Sequence, residues 1–140
     1  MKMQLKFRKI VETCLYSSDL EKMKNFYVNT IGLELISEEM GRHLFMKAGK
    51  SMLLIFNPKN TMARSTMFPI HGAITPPAIC HFALEIEKED YENSKIILNQ
   101  NKIEIEKEIM WKEGTKSIYF RDPVGNLVEF IMRYTWPVDD

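Results

Sequence analysis

A chain of 140 residues is the length of one domain, or of two small modules sharing one core. Its 19 basic and 19 acidic residues cancel, so no charge excess points to nucleic acid or to an anionic membrane as partner. The 45% hydrophobic content is that of a soluble globular protein, no stretch reaches transmembrane length, and the charged start has no apolar run of signal-peptide length, so a cytoplasmic location is expected.

In chain order, residues 10–16 read as a short strand carrying Glu12, Cys14 and Tyr16. A helix is expected over 19–30, capped at Ser18 or Asp19, with Leu20, Met23, Phe26, Tyr27 and Ile31 at helical spacing and Gly32 as its stop. Strands at 33–36, 43–46 and 52–56 follow, separated by Gly41 and by Gly49-Lys50. The order is βαβββ. Residues 58–79, with Pro58, Pro69, Pro76 and Pro77, favour neither helix nor sheet and read as a linker draped over the second half of the chain, with a lid over a site as the alternative.

The same order then returns: a strand at 80–87, a helix at 89–101, and strands at 103–106, 117–120 and 126–132. Asn29 falls on Asn99, Leu33 on Ile103, Gly41 on Gly114, and the run 52–56 on 126–130, which sets Ile55 opposite Glu129. The chain is therefore read as an α+β domain of two βαβββ modules, 10–57 and 80–134, whose curved mixed sheet surrounds a concave cleft. Cys14 and Cys80 are far apart and lack CxxC spacing, which favours reduced, packed thiols. Ten methionines suggest adaptable packing.

Side chains alternate along a strand, so Val11, Thr13 and Leu15 would pack on the first helix while Glu12, Cys14 and Tyr16 face away. In the second module Phe82, Leu84 and Ile86 form the packing set, leaving His81 on the other face; Val128, Phe130 and Met132 leave Glu129 there too. One imidazole and two carboxylates on apolar strands are costly to bury without a partner. A divalent cation held by Glu12, His81 and Glu129 would be that partner, and three protein ligands leave coordination positions open for water or substrate. Cys14, Tyr16, Tyr119 and Arg121 are expected near the cleft, with Trp111 and His71 as looser candidates, and His43 is expected at the surface.

The segments 12–22, Phe26-Tyr27 with 31–35, 81–86, and Arg121-Asp122-Pro123-Val124-Gly125-Asn126-Leu127-Val128-Glu129 resemble the vicinal oxygen chelate superfamily of glyoxalase, bleomycin-resistance and extradiol-dioxygenase proteins. The resemblance spans nearly the whole chain apart from the linker. It implies paired βαβββ modules around a metal-centred cleft, a small-molecule substrate, one divalent metal (Zn, Mn, Ni, Co or Fe), and a homodimer that closes an exposed sheet edge. The cleft would form within one chain or between two. Glyoxalase-type isomerases and lyases match best at Glu12, His81 and Glu129, with Glu12 or Glu129 doubling as base, because their second glutamate falls on Ile55 here. Extradiol dioxygenases use two histidines and one glutamate, and their first histidine falls on Glu12. Bleomycin-binding members hold a drug in the same cleft without metal.

Overall fold

Two four-stranded sheets with one connectivity form the frame, in a computed structural model that describes residues 4, 6–63, 69–72 and 79–138. The first runs β1(Glu12–Tyr16), β4(Ser51–Phe56), β3(His43–Ala48), β2(Glu34–Glu39) across the sheet; the second runs β5(His81–Ile86), β8(Leu127–Met132), β7(Lys116–Arg121), β6(Lys107–Met110). In each, the first strand pairs in parallel with the last and the other pairings are antiparallel. The repeat and the α+β class expected from the sequence are both present.

The first helix begins where the Asp19 carboxylate accepts the Lys22 backbone N–H, at 3.1 Å. It is α-helical only over α1(Leu20–Lys24); Asn25–Thr30 continues as a π-helix, ended by Gly32 at φ 93°. A short helix, α2(Pro58–Thr61), opens the connection between modules. The second module's counterpart of the first helix, α3(Tyr91–Gln100), is α-helical after a 3₁₀ turn at Lys88–Asp90. No helix among the described residues is long and apolar enough to cross a membrane.

One core serves both modules. Leu15, Leu44, Met46, Leu53 and Ile55 from the first sheet join Ile118, Phe120, Val128, Phe130 and Met132 from the second, with Met23, Phe26, Tyr27, Tyr91 and Leu98 from the helices. Phe26 lies 6.2 Å from Phe120 and Tyr27 6.2 Å from Phe82, centroid to centroid, so the first module's helix also packs on the inner face of the second sheet. The faces bearing Glu12, Cys14 and Tyr16, and His81, Ala83 and Glu85, are turned away from this core.

Three expectations are corrected. The strand expected at 103–106 lies at Lys107–Met110, because Ile103 and Ile105 pack against the core instead and the ladder to β7 starts only at Glu106. The described part of the connection lies on the first module, where the second was expected: Asn57 and Asn60 donate side-chain hydrogen bonds to the Gly41 carbonyl, and His71 packs edge-on against Phe56. Its residues 64–68 and 73–78 lie outside the described ones. Ile55, expected on the cleft face, is fully buried in the core.

That last difference is one of register. Cys14 pairs with Leu54, and Ala83 with Glu129. With Glu12 matched to His81, the first-module counterpart of Glu129 is therefore Leu54. Leu54 lies nine residues after its cross-strand partner Phe45, and Glu129 ten after its partner Tyr119. Between these equivalent pairs the β7–β8 hairpin thus holds one residue more than β3–β4. A shift of one residue along a strand moves a side chain to the other face.

Candidate functional site

The outer face of the second sheet carries a connected row of polar groups. His81 opens the edge strand β5, and its ring is held by the Nδ1–H donated to the Leu127 carbonyl at 3.0 Å. That commitment leaves Nε2 directed at the Glu129 carboxylate, 3.2 Å from Oε1. With the ring proton on Nδ1, a lone pair and a carboxylate oxygen face each other, which is repulsive unless a proton or a cation sits between them. Glu129 is 5% exposed and the His81 side chain about half exposed, so the pair opens to solvent on one side only.

Tyr119, the cross-strand neighbour of Glu129, stacks with its centroid 6.1 Å from the His81 ring. Burial, and next the neighbouring Glu129 carboxylate, raise its phenol above the ordinary value. Two residues back on the same face, buried Ser117 accepts the Trp111 indole N–H at 2.9 Å. Arg121 is otherwise engaged, in a two-pronged ion pair with Glu106 at 3.1 and 3.3 Å and on the Gly125 carbonyl at 3.1 Å.

The outer face of the first sheet is aromatic. Tyr16 Oη and His71 Nδ1 share a hydrogen bond of 2.6 Å. Gly72 permits this approach: at φ +124°, a Cβ there would meet the Tyr16 ring at 3.3 Å. His43 is buried rather than at the surface, stacked on Phe45 at 3.9 Å, with Arg42 donating to its Nδ1 and its Nε2–H reaching Ser37 Oγ at 3.1 Å. Burial, then the Arg42 charge, lower its pKa. Cys14 is half-buried, and burial followed by the Glu12 charge pushes its thiol up, away from nucleophilic use. Burial likewise raises the Tyr16 phenol.

Glu12 is exposed, and on this first sheet. Among the described residues no three His, Cys, Asp or Glu side chains converge as a metal set. Of the sequence-derived ligands, His81 and Glu129 meet within one chain and Glu12 does not join them. The donor chemistry of the pair still fits a divalent cation: an imidazole nitrogen with its other N–H fixed on a carbonyl, beside a carboxylate, is how such ligands are oriented. A cavity of about 300 Å³ lies elsewhere, at the seam bordered by Phe26, Lys102, Ile103 and Arg121. Sequence reasoning missed Ser117, although its spacing from Tyr119 places it on the same face. It also missed the His43 cluster, which has no motif.

Residues 9–130 match the family model described as Glyoxalase/Bleomycin resistance protein/Dioxygenase superfamily. No curated protein matches the chain. Among solved structures, the chain is similar to lactoylglutathione lyase from Agrobacterium tumefaciens, with 32% identity over 93% of this chain and 97% of that one, and a TM-score of 0.85. A glyoxalase family protein from Enterococcus faecalis shares 28% identity over 89% and 98%, with a TM-score of 0.64. A glyoxalase/bleomycin resistance protein/dioxygenase from Nocardioides shares the fold, at 19% identity over 98% and 92% and a TM-score of 0.71.

Proposed function

This chain belongs to the glyoxalase/bleomycin resistance protein/dioxygenase superfamily, and from that premise we propose that it is a divalent-metal-dependent lyase or isomerase of the glyoxalase type, acting on a small oxygenated substrate. The observation that carries the reading is the His81 Nε2–Glu129 Oε1 approach of 3.2 Å, with Nδ1 already committed to the Leu127 carbonyl. His81 and Glu129 would hold the ion (Zn, Mn, Ni, Co or Fe). What such an ion supplies when bound is Lewis acidity toward neighbouring substrate oxygens.

The chain's own groups supply the rest. Glu129 or Glu12 is the proton acceptor, and Tyr119 with His81 forms a wall against which a substrate lies. Glu12 enters as third ligand from a second copy whose first module meets this outer face. Two observations support a homodimer of that kind: both outer faces are turned from the core, and among the described residues β1 and β5 each leave a sheet edge unpaired. Leu54 supplies no carboxylate at the fourth position, so the proton acceptor falls to Glu129 or Glu12.

The neighbour from Agrobacterium tumefaciens makes a lactoylglutathione-type thioester the first product to assay. Purification without chelator should yield protein carrying about one divalent ion per site, and Ni²⁺ or Zn²⁺ should support activity that a chelator removes. Absence of both metal and metal-stimulated activity would sink this reading. The aromatic outer face of the first module, with Tyr16, Phe45, Phe56 and His71, favours as second reading a metal-free protein that sequesters a planar small molecule. A direct-binding titration with such a drug separates the two.

A further inference from the structure

A buried hydrogen-bonded chain runs from the first module's helix to the residues flanking His81. The Tyr27 hydroxyl, fully buried, donates to Asp122 Oδ2 at 2.6 Å, across the module boundary. The Asn126 side-chain amide donates to the same oxygen at 2.8 Å, and the backbone N–H groups of Val124 and Asn126 to Oδ1 at 3.1 and 2.9 Å. The Asn126 amide oxygen in turn accepts the Cys80 N–H at 2.9 Å, one residue before His81. The Cys80 carbonyl then accepts the Leu127 N–H at 2.9 Å, and Leu127 is the residue whose carbonyl fixes the His81 ring.

We propose that Tyr27 is a positioning residue for the His81–Glu129 pair: through Asp122 and Asn126 it sets the mutual placement of the first residues of β5 and β8, the two strands that carry the pair. The inference rests on the metal-site reading given above. Two features of the helix support it. First, Tyr27 lies in the π-helical segment, where Ile31 N–H and Gly32 N–H reach back five residues to Phe26 and Tyr27 at 2.9 and 3.1 Å. Such windings are rare and gather at functional sites. Second, the equivalent position of α3 holds Leu98, whose carbonyl accepts the Ile103 N–H as that of Tyr27 accepts the Leu33 N–H. The module with the metal ligands therefore receives its phenol from the other module, and the aromatic module receives none in return. Packing alone would be served by an apolar residue, as Leu98 shows.

The test pairs Tyr27→Phe with Tyr91→Phe in the full chain. Tyr91 is the control: it is 2% exposed, donates to Glu108 Oε1 at 2.7 Å, and stands outside the Asp122–Asn126–Cys80 chain. Calorimetric titration with Ni²⁺ gives the metal affinity of each, beside its thermal unfolding temperature. Both variants should lose thermal stability, but Tyr27→Phe should also weaken Ni²⁺ binding about tenfold, the scale of lost outer-shell support, while Tyr91→Phe stays within about twofold of wild type. Wild-type affinity in Tyr27→Phe would overturn the positioning role and leave the metal site standing. No Ni²⁺ binding by wild type would bring down the site, and this role with it. If Tyr27→Phe does not fold, Asn126→Ala cuts the link at Cys80 instead, and equal affinity there would overturn the proposal in the same way.

Discussion

The two modules share an order of elements, a strand connectivity and a helix packed by one face on the core, yet their outer faces are chemically different. In the second, the corresponding row reads Ala83, Glu129, Tyr119, with His81 at the strand end; in the first it reads Cys14, Leu54, Phe45, with Glu12 at the end. Where the second module has a carboxylate the first has leucine, and where it has a phenol the first has phenylalanine. The frame tolerates either set because the inner faces, which make the core, are apolar in both. Fold and chemistry are thus carried by alternate residues of the same strands.

The sharpest way to break that comparison is to charge the wrong face. Ile55→Glu places a carboxylate in the fully buried core with no partner and should cost about 4 kcal/mol or more in urea unfolding, leaving little folded protein. Removing the imidazole comes next: His81→Ala should weaken Ni²⁺ or Zn²⁺ binding about a hundredfold or more in calorimetry, with a thermal midpoint near wild type because the side chain is half exposed. A milder change sharpens the comparison by making the modules alike. Leu54→Glu should fold and tighten the metal about tenfold, since it adds a carboxylate at the Glu129-equivalent position. Unchanged affinity in that variant would refute the equivalence of the two positions.

The smallest effect is on pH. His43 is held neutral by burial, its folded pKa below the ordinary value near 6.5. Below about that pH the unfolded chain binds a proton that the folded chain does not. Stability should therefore be full above pH 6.5 and fall as pH drops through the lowered folded value. A series of urea transitions from pH 7.5 to 5 should show this slope, and His43→Gln should flatten it.

Much of this is legible in the sequence, for identifiable reasons. The repeat is readable because Gly41 and Gly114 punctuate equivalent turns and Gly32 stops the first helix, and all three adopt positive φ. The facing of His81 and Glu129 comes from alternation within single strands. Legibility fails where a long-range count is needed: Ile55 aligns with Glu129 in the sequence because nothing there marks the β7–β8 hairpin as holding one residue more between the equivalent pairs. The position of β6 is misread because Ile103 and Ile105 alternate as a strand does, while they pack on the core without pairing. The Tyr27–Asp122 bond joins residues far apart in the chain, and no local pattern announces it. Glu12, read as a third ligand of the same cleft, lies on the first module's sheet and does not join the pair within one chain.

The assignment of His81 and Glu129 as metal ligands is tested most directly by an anomalous difference map from crystals loaded with Ni²⁺ or Zn²⁺. The account predicts a single strong peak per site, about 2.0–2.2 Å from His81 Nε2 and a Glu129 oxygen, with the Glu12 carboxylate of a second copy completing the set. A peak bound by other residues, or none at full metal occupancy of the solution, would contradict it.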